Sequence, residues 1–278
     1  MTTIPTPLDT GWLRSRLVEN GPYSALDVVT VTGSTNTDLV ERADTARDRT
    51  VLIAEEQQTG RGRLQRSWVS PRYYGLHVSV LLRPSEIPRS ELGWLPLIAG
   101  VALAETVQSV TGLPAGLKWP NDLLLGSGTH WCKAAGILAE GADTSGGMAI
   151  VLGIGVNVHH GPQELPQPKG GLPPTSLAAQ GASVDRAEFV SELLTSFAGI
   201  DDLWRSHRGD VVGNDLLDRY QRLCATLGEQ VRVDFGDDDP LAGTAARIDA
   251  GGRLVVRGAD GASTPVAAGD VKHLRPSE

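Results

Sequence analysis

Gly60-Arg61-Gly62-Arg63-Leu64-Gln65-Arg66-Ser67-Trp68 packs three arginines and two glycines into nine residues. Before it, Val51-Leu52-Ile53-Ala54 reads as a buried strand. After it, Leu76-His77-Val78-Ser79-Val80-Leu81-Leu82 alternates as a second strand does. The stretch is therefore a loop slung between two strands. Glycines let backbone swing in to wrap a ligand, and arginines bring forked, charged donors that suit carboxylates and phosphates. A loop of this make-up closes over an anion.

The chain around that loop is acidic. Its 278 residues carry a net charge of -8, so bulk charge does not draw it to DNA or to an anionic membrane, and anion binding has to be local. The length allows one large domain with a full core plus a small appendage, and 40% apolar with 21% charged residues is ordinary for a soluble protein. Cys132 and Cys224 are the only cysteines and sit in no metal or disulfide pattern, which suits a reducing cytosol. No apolar run approaches the roughly 18 residues of a membrane span, and the first 21 residues lack a signal-peptide core. The expected location is cytoplasmic.

Outward from the loop, residues 27–32 are β-branched and strand-like, and Gly33-Ser34-Thr35-Asn36 can cap a helix over about 37–47. Apolar spacing predicts a helix over 90–110, with Ser90 as cap and Pro96 near its start. Strands are expected around 117–125, 135–140 and 148–158, at a spacing that argues for an antiparallel or mixed sheet. Residues 161–174, rich in Pro and Gly, read as a surface loop, followed by amphipathic helices over 187–204 and 216–223. Beyond 227 the texture changes to short, closely spaced strands at 230–235, 243–248, 253–257, 263–267 and 271–274, which predict a small SH3-like barrel. The expected division is a segment 1–26, a catalytic domain 27–227 and a barrel 228–278.

Four more polar segments sit at strand ends: Ser34-Thr35-Asn36, Lys118-Trp119-Pro120-Asn121-Asp122, Lys133-Ala134-Ala135-Gly136-Ile137-Leu138, and Gly153-Ile154-Gly155-Val156-Asn157. Two familiar nucleotide motifs are excluded. Val158 takes the place of the third glycine of a dinucleotide fingerprint, and no Gly-x-x-x-x-Gly-Lys-Ser/Thr run exists. His159 and His160 lack ligand spacing and read as an exposed loop. In order and content, the five motifs resemble the catalytic domain of biotin protein ligases, over about residues 27–158, and the C-terminal barrel suits that family's layout.

The resemblance implies an α/β (α+β) fold: a mixed sheet packed with helices on one face, like that of class II aminoacyl-tRNA synthetases, plus the barrel. It implies activation of biotin with ATP and Mg²⁺ to biotinyl-5'-AMP, then transfer to a lysine of a biotin carboxyl carrier protein or domain of acyl-CoA carboxylases. Ser34, Thr35, Asn36 and Gln57 match positions at the biotin ureido group, and Trp68, Gly136, Ile137 and Leu138 match apolar walls. Gly60, Arg61, Gly62 and Arg63 match the loop near the biotin carboxylate. Arg63, Arg66, Trp68, Lys118, Asn121, Lys133 and Asn157 match the ATP site, Asp122 matches the magnesium position, and Lys133, Arg61, Arg63 and Asp122 match the catalytic set. Gln65 departs from the family's usual glycine and would pay for a positive φ. Too few residues precede the first strand for the DNA-binding winged helix that some members carry, so no repressor role is expected. Lipoate ligation, or non-catalytic biotin sensing, are the alternative readings.

Overall fold

The computed structural model describes residues 5–128, 130–165, 171–235, 239–267 and 269–274. Parts of the Pro/Gly loop (166–170) and of the acidic turn near 237 lie outside the described residues.

A seven-stranded mixed sheet runs in the order β1 (Ala25–Val29), β2 (Thr50–Ala54), β3 (Gly75–Leu82), β7 (Gly147–Asn157), β6 (Cys132–Thr144), β5 (Asp122–Leu125), β4 (Ala115–Lys118). Only β1 and β2 are parallel, joined by a crossover through helix α2 (Thr35–Glu41). The alternation of side chains splits the sheet's two faces between two cores. Val51, Ile53, Val78, Val80, Leu152 and Ile154 join the large core with α3 (Leu95–Thr111) and α4 (Arg186–Ser206). Leu52, Leu81 and Val151 face the other way, onto Leu39 of α2. Helices therefore occupy both faces, which corrects the one-face expectation, and α2 covers only part of its side.

Helix α3 begins at Leu95 after a 3-10 turn (Arg89–Trp94), so Pro96 falls where a missing N–H costs nothing. Arg89–Thr111 is long and apolar enough to cross a membrane, but α3 is apolar all round because it is buried in the core. Before β1, α1 (Thr10–Arg14) and a π-helical turn (Ser15–Glu19) bury Leu13 and Leu17 in the same core.

Residues 117–125 form not one strand but the β4–β5 hairpin. Proline has no N–H for a ladder, and the chain reverses at a cis Trp119–Pro120 bond, bringing Lys118 directly opposite Asp122. Helix α5 (Leu216–Leu223) leads into five antiparallel strands, β8 (Gln230–Asp234), β9 (Leu241–Ile248), β10 (Leu254–Arg257), β11 (Ser263–Val266) and β12 (Asp270–His273), ordered β11-β10-β9-β8-β12. This SH3-like unit docks through its β9–β10 turn, where the Trp94 and Trp119 indoles donate to the carbonyls of Ala250 and Gly252 at 2.7 and 3.0 Å.

Candidate active site

On the face that α2 leaves partly open, one row of residues stands directly opposite across six strands: Ala54, His77, Gly155, Gly136, Asp122 and Lys118. The two central glycines leave a trough in the sheet, flanked by His77 on one side and by Asp122 and Lys118 on the other. The indole of Trp68 lies in the trough, and a Cβ on Gly155 would come within 2.8 Å of it. A cavity of about 260 Å³ is lined by this row from His77 to Lys118, and by every residue expected in the site except Gly60. Gly60 is where the loop crosses itself: a Cβ there would meet the Trp68 carbonyl oxygen at 2.4 Å, and the Trp68 N–H donates to the Gly60 carbonyl at 2.8 Å.

At one end, Ser34 has an extended backbone (φ -159°) at the start of α2, which begins at Thr35 and stops at Glu41, shorter than and ahead of the 37–47 expectation. The Ser34 hydroxyl makes no capping bond and is buried in the cavity wall. Both the backbone N–H and the hydroxyl of Thr35 donate to Gln57 Oε1, at 2.9 and 3.0 Å. Ser79 Oγ lies 2.7 Å from Thr35 Oγ1 and 2.6 Å from Asn36 Oδ1, and Asn36 Nδ2 donates to Glu140 at 2.8 Å. The lining side chains Ser34, Thr35, Asn36 and Gln57 of this end are uncharged, hydrogen bonds hold the last three in place, and the one carboxylate in that network, Glu140, is paired with Arg61.

At the other end, Lys133 Nζ pairs with Asp122 Oδ1 at 2.6 Å and lies 6.0 Å from the centroid of the Trp68 ring. Burial lowers the pKa of Lys118, against the opposing pull of Asp122 and Asp270, and also lowers that of Arg63. Asn121 is fixed by donating to the Ile137 carbonyl at 2.9 Å and accepting from Arg63 at 3.4 Å. Asn157, at the end of β7, donates to the Thr175 carbonyl at 2.9 Å. Five cationic and two anionic side chains line the cavity, a local excess of positive charge in a chain of net charge -8.

The three loop arginines diverge. Arg61 donates to Thr37 Oγ1 at 2.8 Å and pairs with Glu140 at 3.1 Å, half exposed. Arg63 reaches Asn121, whereas Arg66 pairs with Asp270 of the barrel at 2.5 Å. The left-handed backbone in the loop falls on Leu64 (φ 55°, ψ 37°), one residue before Gln65, where the sequence reading had placed the strain. His160 is also unlike its expected exposed loop, being fully buried with Nε2 2.8 Å from Ser70 Oγ.

Among the polar and charged residues at or beside the site, Glu140, Ser79, His77 and Asp270 escaped the sequence reading. Glu140 shares the inward face of β6 with Gly136 and Leu138, and Ser79 and His77 share that of β3, so strand alternation alone could have found these three. Asp270 lies more than 200 residues from its partner Arg66, and no local pattern announces it.

Residues 28–157 match the Biotin/lipoate A/B protein ligase family, and 226–274 match the Biotin protein ligase C terminal domain. The chain is 38% identical to the biotin--[acetyl-CoA-carboxylase] ligase of Mycobacterium tuberculosis, over 97% of each sequence. It belongs to the biotin protein ligase family. Among other relatives of this ligase, the bifunctional ligase/repressor BirA of Escherichia coli is 30% identical over 94% of this chain and 76% of that protein. The solved biotin protein ligase from Aquifex aeolicus in complex with biotin and ATP is 25% identical, covering 91% of this chain and all of that one, with a TM-score of 0.74. The family's ligase architecture accounts for the pairing of the large sheet with the small SH3-like unit.

Proposed function

We propose that this protein is an ATP-dependent biotin protein ligase that forms biotinyl-5'-AMP and then biotinylates a lysine of a biotin carboxyl carrier protein. The observation that carries it is the polarity of the trough: a neutral hydrogen-bonding end, a glycine floor under an indole, and a cationic end. Biotin has the same order of parts, with a ureido head, an apolar ring and chain, and a carboxylate. In this reading Ser34, Thr35, Asn36 and Gln57 hold the head, and Trp68, Gly136 and Ile137 enclose the ring and chain. Residues 27–227 then form the catalytic domain and 228–278 the barrel that closes its rim.

In the first step a biotin carboxylate oxygen attacks the α-phosphorus of ATP, and the bond to the β-phosphate breaks to release pyrophosphate. Two anions must approach, so fixed cations have to offset their repulsion. Lys133 stands beside the carboxylate and the α-phosphate, while Arg63, Arg66 and Lys118 face the phosphates and Asn157 the adenine. Trp68 separates base from biotin, and Arg61 and Gly62 hold the loop down over the acid. In the second step the carrier amine, oriented by Asp122, attacks the acyl carbon, AMP leaves, and the amine proton passes to a carboxylate or to water. Water exclusion by the closed loop protects the mixed anhydride.

Among the described residues no three His, Cys, Asp or Glu cluster as a metal cage. Magnesium commonly uses one or two carboxylates plus phosphate oxygens and water, and Asp122, 14% exposed beside Lys133, fits that limited role. When bound with ATP the ion would neutralise phosphate charge. The free cysteines Cys132 and Cys224 support a cytoplasmic location. Pyrophosphate release from ATP, assayed with biotin or with lipoate, tests the reading. Release with biotin alone is expected. Release only with lipoate marks a lipoate ligase, and binding of biotin without release marks a sensor.

A further inference from the structure

Position 77 brings an imidazole into a row that is otherwise accounted for. His77 is 1% exposed on the inward face of β3, between Ala54 and Gly155, and it lines the cavity. Neither of its ring nitrogens has a hydrogen-bond partner. A buried polar group without a partner destabilises the fold, so a ligand that bonds one of these nitrogens from the cavity would recover part of that cost. Burial, with lesser contributions from His160 and Arg186, pushes the ring's pKa down to about 4, so it is neutral near pH 7 and one nitrogen is a bare acceptor.

The neighbouring side chains explain which ligand atom this acceptor suits. A ureido group presents two N–H donors and one carbonyl. At the neutral end, Gln57 Oε1 already takes two hydrogen bonds from Thr35, and Asn36 Oδ1 is engaged by Ser79. The Ser34 hydroxyl and the Gln57 Nε2 amide donors remain for the carbonyl, so side-chain acceptors for the N–H groups are scarce. We propose that His77 is a specificity-determining residue for the head group: its bare ring nitrogen accepts a hydrogen bond from a ureido N–H at the floor of the trough. This rests on the biotin reading above and extends it to a residue outside the resemblance.

The test is calorimetric titration of biotin and of desthiobiotin, which keeps the ureido group but lacks the sulfur, into wild type, His77→Phe and His77→Gln. Loss of the acceptor in His77→Phe should weaken both ligands about tenfold, equivalent to about 1.4 kcal/mol, with KM for ATP unchanged. Gln, which retains an acceptor, should recover most of the loss. Unchanged biotin affinity in His77→Phe, or a loss confined to biotin, overturns the assignment. If the variant fails to fold, ¹⁵N spectra of histidine-labelled wild type decide: one ring nitrogen of His77 should shift on adding biotin, and an unmoved signal overturns the proposal. Wild-type protein that binds no biotin overturns the functional reading itself.

Discussion

Gly155→Ala places a methyl group under the indole that roofs the trough. The new Cβ would stand 2.8 Å from Trp68 Cε2 and 2.9 Å from Nε1, where ordinary contact begins at 3.4 Å, so something must retreat by about 0.6 Å. Strand β7 cannot, because it is bonded along its length to β3 and β6. Trp68 belongs to a partly exposed loop, so the ring lifts instead. Overpacking of this kind costs about 1–3 kcal/mol, and here it falls on the closed loop rather than on the core. Biotin affinity should drop by roughly 5- to 150-fold, while Tm falls by only a few degrees. Gly136→Ala is the graded control: its Cβ meets the same ring at 3.3 Å, an overlap of 0.1 Å against the same 3.4 Å limit, and should cost far less. Calorimetry with biotin and a thermal melt for each variant measure both effects. Wild-type affinity in Gly155→Ala, or a larger loss in Gly136→Ala, refutes the steric argument.

Other perturbations separate the two ends of the site. Lys133→Ala should keep appreciable biotin binding yet lose about 100-fold or more in adenylate formation, read by single-turnover formation of biotinyl-5'-AMP; wild-type turnover would remove Lys133 from the chemistry. Arg61→Ala, which releases the contacts to Thr37 and Glu140, should let adenylate escape faster, seen as hydrolysed product without carrier; retention as in wild type would show the loop is no lid. Asp270→Ala frees Arg66 from the barrel; as Arg66 is largely exposed, KM for ATP should change by about fivefold at most, and a larger effect would mean that the carboxylate acts in some other way. Burial holds His77 and His160 at about 4, below the usual 6.5. The unfolded chain therefore takes up protons first as pH falls, so stability present above pH 6.5 is lost towards pH 4, by about 1.4 kcal/mol per pH unit for each histidine. Urea titrations across that range check this, with a shallower slope expected in His77→Phe.

Most of the fold was legible because its signals are local. Alternation and turn residues announced the barrel strands, and the 3.6-residue apolar spacing announced α4 and α5. The 117–125 segment was misjudged because an apolar run hides the reversal at Trp119-Pro120, although that reversal is what sets Lys118 opposite Asp122. The covering of the second face was missed because α2 is short, and its place is fixed by Leu39 meeting Leu52, Leu81 and Val151 rather than by its own pattern. Within the site, the distinctive pentapeptide and the arginine loop carried their own chemistry. The Arg66–Asp270 and Arg61–Glu140 pairs did not, since each joins residues far apart in the chain. Backbone strain moved from Gln65 to Leu64 because the loop closes by Gly62–Arg66 and Gly60–Trp68 hydrogen bonds, a register that composition does not encode.

The central claim is that one cavity activates biotin and passes it to a protein lysine. Incubation with labelled biotin, ATP, magnesium and a biotin carrier domain tests it most directly. Label should become covalently attached to the carrier's lysine only when ATP is present. A carrier that stays unlabelled while known ligase labels it under the same conditions would contradict the account.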